Sequence, residues 1–183
     1  MQEEPDLDID PTPVTPDTFY ASWTEPERIA PPASDEETAA AERRLGIELP
    51  ETLKRLYRQR NGGDTDAIWV PLKPDPQPVF EDWRACWAHG YDWLVPLERL
   101  CTLRQAYLEW VDPDDPGEAA TIPTDADARI VLAMRYEDTT FLDYSKPGPP
   151  RVGVIDFEAV DRSEDVWFEN FEAFLAALRR ERD

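Results

Sequence analysis

His89 and Cys86 are the side chains in this sequence best suited to acid–base or metal chemistry. Three residues apart on a helix, they would lie on one face. Catalytic histidines usually work with a carboxylate and a nucleophile close by, and zinc sites need three or four protein ligands, of which this pair supplies two. A lone histidine in a tryptophan-rich stretch favours a structural or solvated side chain. We therefore predict no catalytic residue, no cofactor site and no metal site.

The acidic stretch that begins at Asp112 is the next candidate, because it superficially resembles a calcium-binding loop. Asp112 and Asp114 occupy the first and third positions of such a loop and Gly117 the sixth. The fifth and twelfth positions, which should supply further ligands, are Pro116 and Pro123. The match to a calcium loop therefore fails, and the stretch is interpreted as a solvated acidic loop or one that faces a partner. No pair of carboxylates stands out as a glycosidase pair.

Net charge is the strongest overall signal. Forty acidic residues face nineteen basic ones, which gives a formal net charge of −21. Such a surface repels nucleic acid and anionic membranes, since phosphate binding needs a basic face. It attracts a basic partner and speeds their encounter. The simpler alternative is that the acidity only keeps the protein soluble.

The composition also indicates a compartment. No apolar run approaches the roughly 18 residues of a membrane span. The first residues are acidic and lack the regions of a signal peptide, and two cysteines are too few for a disulfide framework. We expect a cytoplasmic protein, monomeric, that binds neither nucleic acid nor membrane.

Two segments are predicted along the chain. Residues 1–17 contain six acidic residues, four prolines and no lysine or arginine, so we expect an acidic, proline-rich, disordered tail. Residues 18–183 are expected to form one domain. Within it, predicted strands lie at 68–70, 129–136, 140–144 and 151–157, and predicted helices at 34–45, 50–60, 79–89, 97–111 and 170–180. The fold class is therefore α+β, with helices packed around an antiparallel meander.

The first two helices carry clear end signals. Ser34 and Glu37 form a capping-box pattern, and Gly46 suits the left-handed residue after a helix. Pro50 suits the first turn of the second helix, whose buried stripe is predicted at Leu53, Leu56 and Tyr57. Asn61-Gly62-Gly63 stops that helix; it is too short for a phosphate loop and lacks the Lys and Ser or Thr that should follow.

These N-terminal motifs resemble the SMI1/KNR4 family, also called the SUKH superfamily. The resemblance extends over about residues 19–180 and is most specific in its first block. Phe141 to Tyr144 and Asn170 to Leu175 are similar to a later strand and to the closing helix of the family. The fold-motif residues are Glu42, Leu45, Gly46, Leu49, Pro50, Leu56, Tyr57, Asn61, Gly62 and Gly63. They suggest packing and backbone geometry, with Glu42 held by backbone donors of the next turn.

The resemblance implies the α+β fold and a role. Many bacterial members are immunity proteins that bind and neutralise a secreted polymorphic toxin in bacterial competition, often a nuclease with a basic surface. The expected partner is therefore a cognate, basic toxin domain, bound directly and stoichiometrically without catalysis. Two alternatives stay open: a regulatory or scaffold module for an endogenous protein, and an enzyme that acts through unrecognised carboxylates.

Acidic residues beside aromatic ones are typical of binding hot spots. We expect the partner contacts on an acidic loop, on a hairpin tip and on a tryptophan-containing segment. The predicted contact residues are Glu81, Asp82, Trp83, Asp112, Asp114, Asp115, Glu118, Glu137 and Asp138.

Overall fold

The computed structural model describes most of the chain with gaps between the described segments. These segments are residues 7–21, 29–65, 67–79, 82–86, 93–109, 122–134, 138–156 and 165–182. They contain four α-helices and ten short strands, and the strands form two four-stranded antiparallel sheets and a two-stranded ribbon. The α+β fold class predicted from the sequence is confirmed.

Helices α1 (Asp35–Leu45) and α2 (Glu51–Gln59) form where the end signals predict them. The Ser34 hydroxyl accepts from the Glu37 N–H at 3.2 Å, and the Ser34 N–H donates to the Glu37 carboxylate at 2.7 Å. Gly46 ends α1 with a φ of 68°, in the left-handed region. The predicted stripe of α2 is buried, with Leu53, Leu56 and Tyr57 fully enclosed.

The first sheet has the order β1–β10–β3–β4. Its strands are β1 (Ile9–Asp10), β3 (Ala67–Pro71), β4 (Trp83–Ala85) and β10 (Arg179–Glu181). The predicted strand at 68–70 is thus confirmed as β3. The ribbon joins β2 (Gly63–Asp64) to β5 (Trp93–Leu94).

The N-terminal segment corrects the prediction of a disordered tail over residues 1–17. Ile9 pairs with Glu181, and the side chains of Leu7 and Val14 are 1% and 3% exposed. The Leu7 N–H donates to the Pro78 carbonyl at 3.0 Å. Three apolar residues among the acids and prolines, Leu7, Ile9 and Val14, attach this segment to the domain, and Ile9 and Asp10 pair with β10, while Asp8 stays at the surface. Residues 1–6 lie outside the described residues.

The second sheet is the predicted meander with one added strand. Its order is β6 (Arg129–Met134), β7 (Asp138–Asp143), β8 (Arg151–Asp156) and β9 (Val166–Phe168). The first three strands match the predicted ones to within a few residues. Strand β9, only three residues long, was not expected.

Two predicted helices are wrong in whole or in part. Trp83 lies in strand β4 opposite Pro71, so the expected helix at 79–89 does not form there; Phe80 and Trp87, which suggested it, lie outside the described residues. The expected helix at 97–111 divides into a 3₁₀ turn (Leu97–Arg99) and the short helix α3 (Leu103–Tyr107). The cause is a new cap, because the Thr102 hydroxyl accepts from the Gln105 N–H and restarts the helix.

The closing helix α4 (Phe171–Ala177) is capped by Asn170, as expected, but it is shorter than predicted because the chain turns into β10. Phe171, Phe174 and Leu175 of α4 are buried in the main core with α2 and the inner face of the second sheet. Helix α3 packs on the opposite face, where Tyr107 and Val131 belong to a second, smaller core cluster. Both faces of the second sheet are therefore covered.

Among the described helices, none is long and apolar enough to cross a bilayer.

Candidate functional site

Glu42 organises the turn between α1 and α2. Its carboxylate accepts from the Leu49 N–H at 2.8 Å and lies 2.9 Å from the Lys54 ammonium. Its carbonyl accepts from the N–H groups of Gly46 and Ile47. The prediction that backbone donors of the next turn hold Glu42 is confirmed. The consequence is that Leu49 and Pro50 are fixed in place at the start of α2.

The Asn61-Gly62-Gly63 motif docks the other end of α2. The Asn61 side chain accepts from the Leu97 N–H and donates to Glu98, each at 2.9 Å. Gly62 has a φ of 86°, and a Cβ added there would meet the Leu94 carbonyl oxygen at 2.5 Å. Tyr57, fully buried, donates to the Val95 carbonyl at 2.7 Å. The motif residues thus fix both ends of α2 and make no arrangement for catalysis among themselves.

A surface cleft of about 560 Å³ lies where α2 and α4 begin. We call it the glutamate-rimmed cleft. One wall is the segment that Glu42 positions, the second is the first turn of α4, and the third is the loop between β7 and β8. Its lining residues are Glu48, Leu49, Pro50, Glu51, Tyr144, Gly148, Pro149, Pro150, Asn170, Phe171 and Glu172. Three of these are prolines, whose fixed φ keeps the walls stiff without an ordering cost.

The rim of the cleft is negative. Its lining residues include three glutamates and no lysine or arginine. The Glu48 side chain is 89% exposed, and the one cation near it among the described residues is the Lys54 ammonium at 4.0 Å. The Glu172 carboxylate accepts from the Thr52 hydroxyl at 2.6 Å and is exposed. Carboxylates held open in this way suit the binding of a basic side chain.

Two further contacts stiffen the cleft. The Tyr144 hydroxyl donates to the Glu48 carbonyl at 2.7 Å, which ties the β7–β8 loop to the α2 wall. Burial, together with the charges of Glu42 and Glu48, raises the pKa of Tyr144. A hydrogen bond from Arg58 lowers the pKa of Glu51. The cleft is thus a preformed surface with the Glu48 and Glu172 carboxylates exposed on its rim.

The predicted partner-contact residues have different outcomes. Asp82 is corrected: it is 6% exposed, and its carboxylate accepts from the Gln77 N–H at 2.5 Å and pairs with the Lys73 ammonium at 2.6 Å. Those contacts lower its pKa, with the Lys73 hydrogen bond as the larger cause. It holds its own loop together. Trp83 is half-buried, and its indole N–H donates to the Gln77 carbonyl at 2.7 Å.

The remaining predicted contacts cannot be placed around a site. Asp138 begins strand β7, opposite Asp156. The others lie outside the described residues: Glu81, Asp112, Asp114, Asp115, Glu118 and Glu137. His89 is also outside them, while its neighbour Cys86 is buried with its thiol on the Ile68 carbonyl at 3.0 Å. In the described part of the chain, no group of three or more potential ligands is arranged to hold a metal ion.

Sequence reasoning missed the cleft residues Glu48, Tyr144 and Glu172. About a hundred positions separate Glu48 from Tyr144, and about thirty separate Tyr144 from Glu172, so only the fold brings these residues together. A partial signal was present, because Glu48 and Tyr144 adjoin motif residues that were singled out for packing.

Comparison with known proteins gives one family. The model of the SMI1 / KNR4 family (SUKH-1) matches residues 32–177, which is most of the chain. No curated protein matches the chain at a significant level. The matched range includes every described wall of the glutamate-rimmed cleft.

Proposed function

The chain belongs to the SMI1/KNR4 family (SUKH-1), and from that membership we propose that it is an immunity protein. It binds a cognate secreted toxin directly and stoichiometrically and so neutralises it. The family is known for immunity-protein domains, and the match over residues 32–177 is the observation that carries the proposal. Binding alone suffices for this function, so the chain performs no reaction and needs no cofactor.

The glutamate-rimmed cleft supports a basic partner. A toxin that acts on nucleic acid carries a basic surface for its phosphates. An acidic protein that covers such a surface excludes the substrate without any chemistry. The cleft offers concavity, stiff walls and the exposed carboxylates of Glu48 and Glu172, and a net charge of −21 adds long-range attraction. We place the toxin's central contact there.

The residues predicted from the sequence as partner contacts stay part of our proposal, apart from one: they are Glu81, Trp83, Asp112, Asp114, Asp115, Glu118, Glu137 and Asp138. Asp82 is left out, because its carboxylate is already used by its own loop. The protein works as a cytoplasmic monomer in this proposal, since a toxin must be met where it acts.

Salt is expected to slow association strongly. Exposed carboxylates act at long range only while the Debye length is comparable with the encounter distance, roughly 10 Å at 0.1 M salt. Between about 0.05 and 0.5 M NaCl, we expect the association rate constant for the purified cognate toxin domain to fall at least about tenfold. Stopped-flow fluorescence measures it. The dissociation rate serves as the control and should change much less; an association rate that does not respond to salt contradicts the acidic contact surface.

A further inference from the structure

Strand β9 ends the second sheet, and its outer edge is unpaired in the described part of the chain. It pairs with β8 through Val152–Phe168, Gly153–Trp167 and Val154–Val166. The opposite edge of the sheet is covered, because the Val95 N–H donates to the Leu132 carbonyl and the Val131 N–H to the Cys101 carbonyl. Only at β9 does this sheet offer an uncovered edge among the described residues.

The direction of the main-chain groups of Trp167 follows from the ladder. The Tyr144 N–H donates to the Ala128 carbonyl at 2.8 Å, which makes that opposed pair a hydrogen-bonded one. Hydrogen-bonded and non-hydrogen-bonded pairs alternate along antiparallel strands. We apply this alternation in turn to the pairs β6–β7, β7–β8 and β8–β9, using the register of each. The result is that Gly153–Trp167 is a non-hydrogen-bonded pair. The N–H and C=O of Trp167 therefore point away from β8, toward solvent.

The Trp167 side chain is also exposed yet held in place. It is 37% exposed, whereas Phe141 and Ile155 on the same face are buried. Its ring meets Phe141 edge-on at 5.7 Å, and Arg151 stacks over it at 4.5 Å. Gly153 makes room, because a Cβ there would lie 2.6 Å from the Phe141 ring and 3.0 Å from Trp167. A fixed aromatic ring beside an open edge is a preformed anchor.

Charge selects the occupant of this edge. A second arginine, Arg129, lies 5.7 Å from the Trp167 ring. Arg151 is paired with Asp143 at 2.6 Å and Arg129 with Asp125 at 2.8 Å, so neither arginine adds net positive charge. Glu169, the first residue after β9, is exposed, and Glu172 follows at the cleft. A second copy of this chain would bring another net charge of −21 to the same edge, which opposes self-pairing.

From these observations we infer that the outer edge of β9 binds an extended, basic segment of a partner protein, which adds to the second sheet as a fifth strand. The main-chain groups of Trp167 supply hydrogen bonds, its ring supplies the apolar anchor, and Glu169 receives a lysine or arginine. The inference deepens the proposed function by naming how a partner is held, and it rests on that function only in taking the partner to be a protein.

A synthetic probe tests the edge without the toxin. The probe is a seven-residue peptide of alternating lysine and threonine, blocked at both ends, added to the full chain and followed by NMR. In the free protein the Trp167 amide should exchange with solvent faster than those of Val166 and Phe168. Saturating peptide should slow Trp167 exchange at least about tenfold and leave its two neighbours nearly unchanged. A peptide of the same sequence with every backbone amide methylated keeps the charge, cannot add as a strand, and should not protect Trp167.

Two variants test whether the Trp167 ring contributes to peptide binding. Trp167→Ala keeps the edge but removes the ring and should weaken peptide binding about tenfold. Leu108→Ala removes another exposed apolar side chain, 45% exposed on the far side of α3, and should leave binding unchanged. The inference is overturned if millimolar peptide leaves Trp167 unprotected, or if the methylated peptide binds equally well. It is also overturned if Trp167 becomes protected by raising the protein concentration alone, since the occupant is then a second copy. Toxin neutralisation is measured separately, so either idea can fail alone.

Discussion

Replacing Gly62 with alanine is expected to destabilise the protein by about 3 kcal/mol, measured as the free energy of unfolding in urea. Two costs combine at this position. The φ of 86° disfavours any side chain, and a Cβ would lie 2.5 Å from the Leu94 carbonyl oxygen and 3.0 Å from the Pro96 nitrogen. Both neighbours are backbone atoms, so relief requires the chain around Leu94 to move. That movement would also weaken the contact of Asn61 with Leu97.

Gly46→Ala is the matched control. Gly46 has a φ of 68°, but nothing lies within 4 Å of an added Cβ. Only the conformational cost remains, about 1 kcal/mol. Equal losses at the two glycines would show that the close approach of Gly62 to the Leu94 segment is not a determinant of the fold.

Reversing two charges at the cleft is expected to weaken toxin binding about 50-fold, roughly 2.3 kcal/mol. The change is Glu48→Lys with Glu172→Lys, which replaces attraction by repulsion at two points of the rim. Both side chains are exposed and contribute little to the fold: in the described part of the chain, Glu48 has one contact with a cation, Lys54 at 4.0 Å, and Glu172 loses one hydrogen bond from Thr52. The melting temperature should therefore change little. Isothermal titration calorimetry with the toxin domain measures the loss.

The control variant makes the same change of net charge, but at two positions outside the cleft. Asp17→Lys with Glu36→Lys alters two exposed acids that do not line it. We expect this variant to lose less than about threefold in affinity, through long-range attraction only. If both double variants lose affinity equally, the cleft is not the contact and only the overall charge matters.

Local signals explain what the sequence predicts well. The caps of α1 and α4, the stop at Gly46 and the meander all depend on residues a few positions apart. The position of Glu42 was also predictable, because its partner Leu49 lies in the next turn. Each of these features is decided by hydrogen bonds or alternation within a short window.

Long-range pairing explains what was missed. Strand β1 exists only because residues 179–181 offer it an edge, about 170 positions later. The spacing of Trp83 with its neighbours favours a helix, but pairing with β3 overrides it. Asp82 looks like a surface acid until Lys73 and the Gln77 N–H close around it. The cleft needs three distant segments at once, which no local pattern encodes.

The fold motif and the proposed function are therefore connected. Glu42 fixes Leu49 and Pro50, and these residues form a wall of the cleft whose rim carries Glu48 and Glu51. A motif whose residues pack and fix the backbone thus also positions the surface where we place the partner. We therefore expect acidic residues on the stiff walls of the cleft to contribute more to partner binding than the net charge of the whole chain.

Neutralisation of a toxin in cells is the most direct test of this function. Cells that produce the cognate toxin domain should stop growing, and co-production of the chain should restore growth. The two proteins should then purify as a 1:1 complex, and the Glu48→Lys, Glu172→Lys variant should restore growth poorly. If the intact chain neither restores growth nor forms a complex with that toxin domain, the proposal that it is an immunity protein is contradicted.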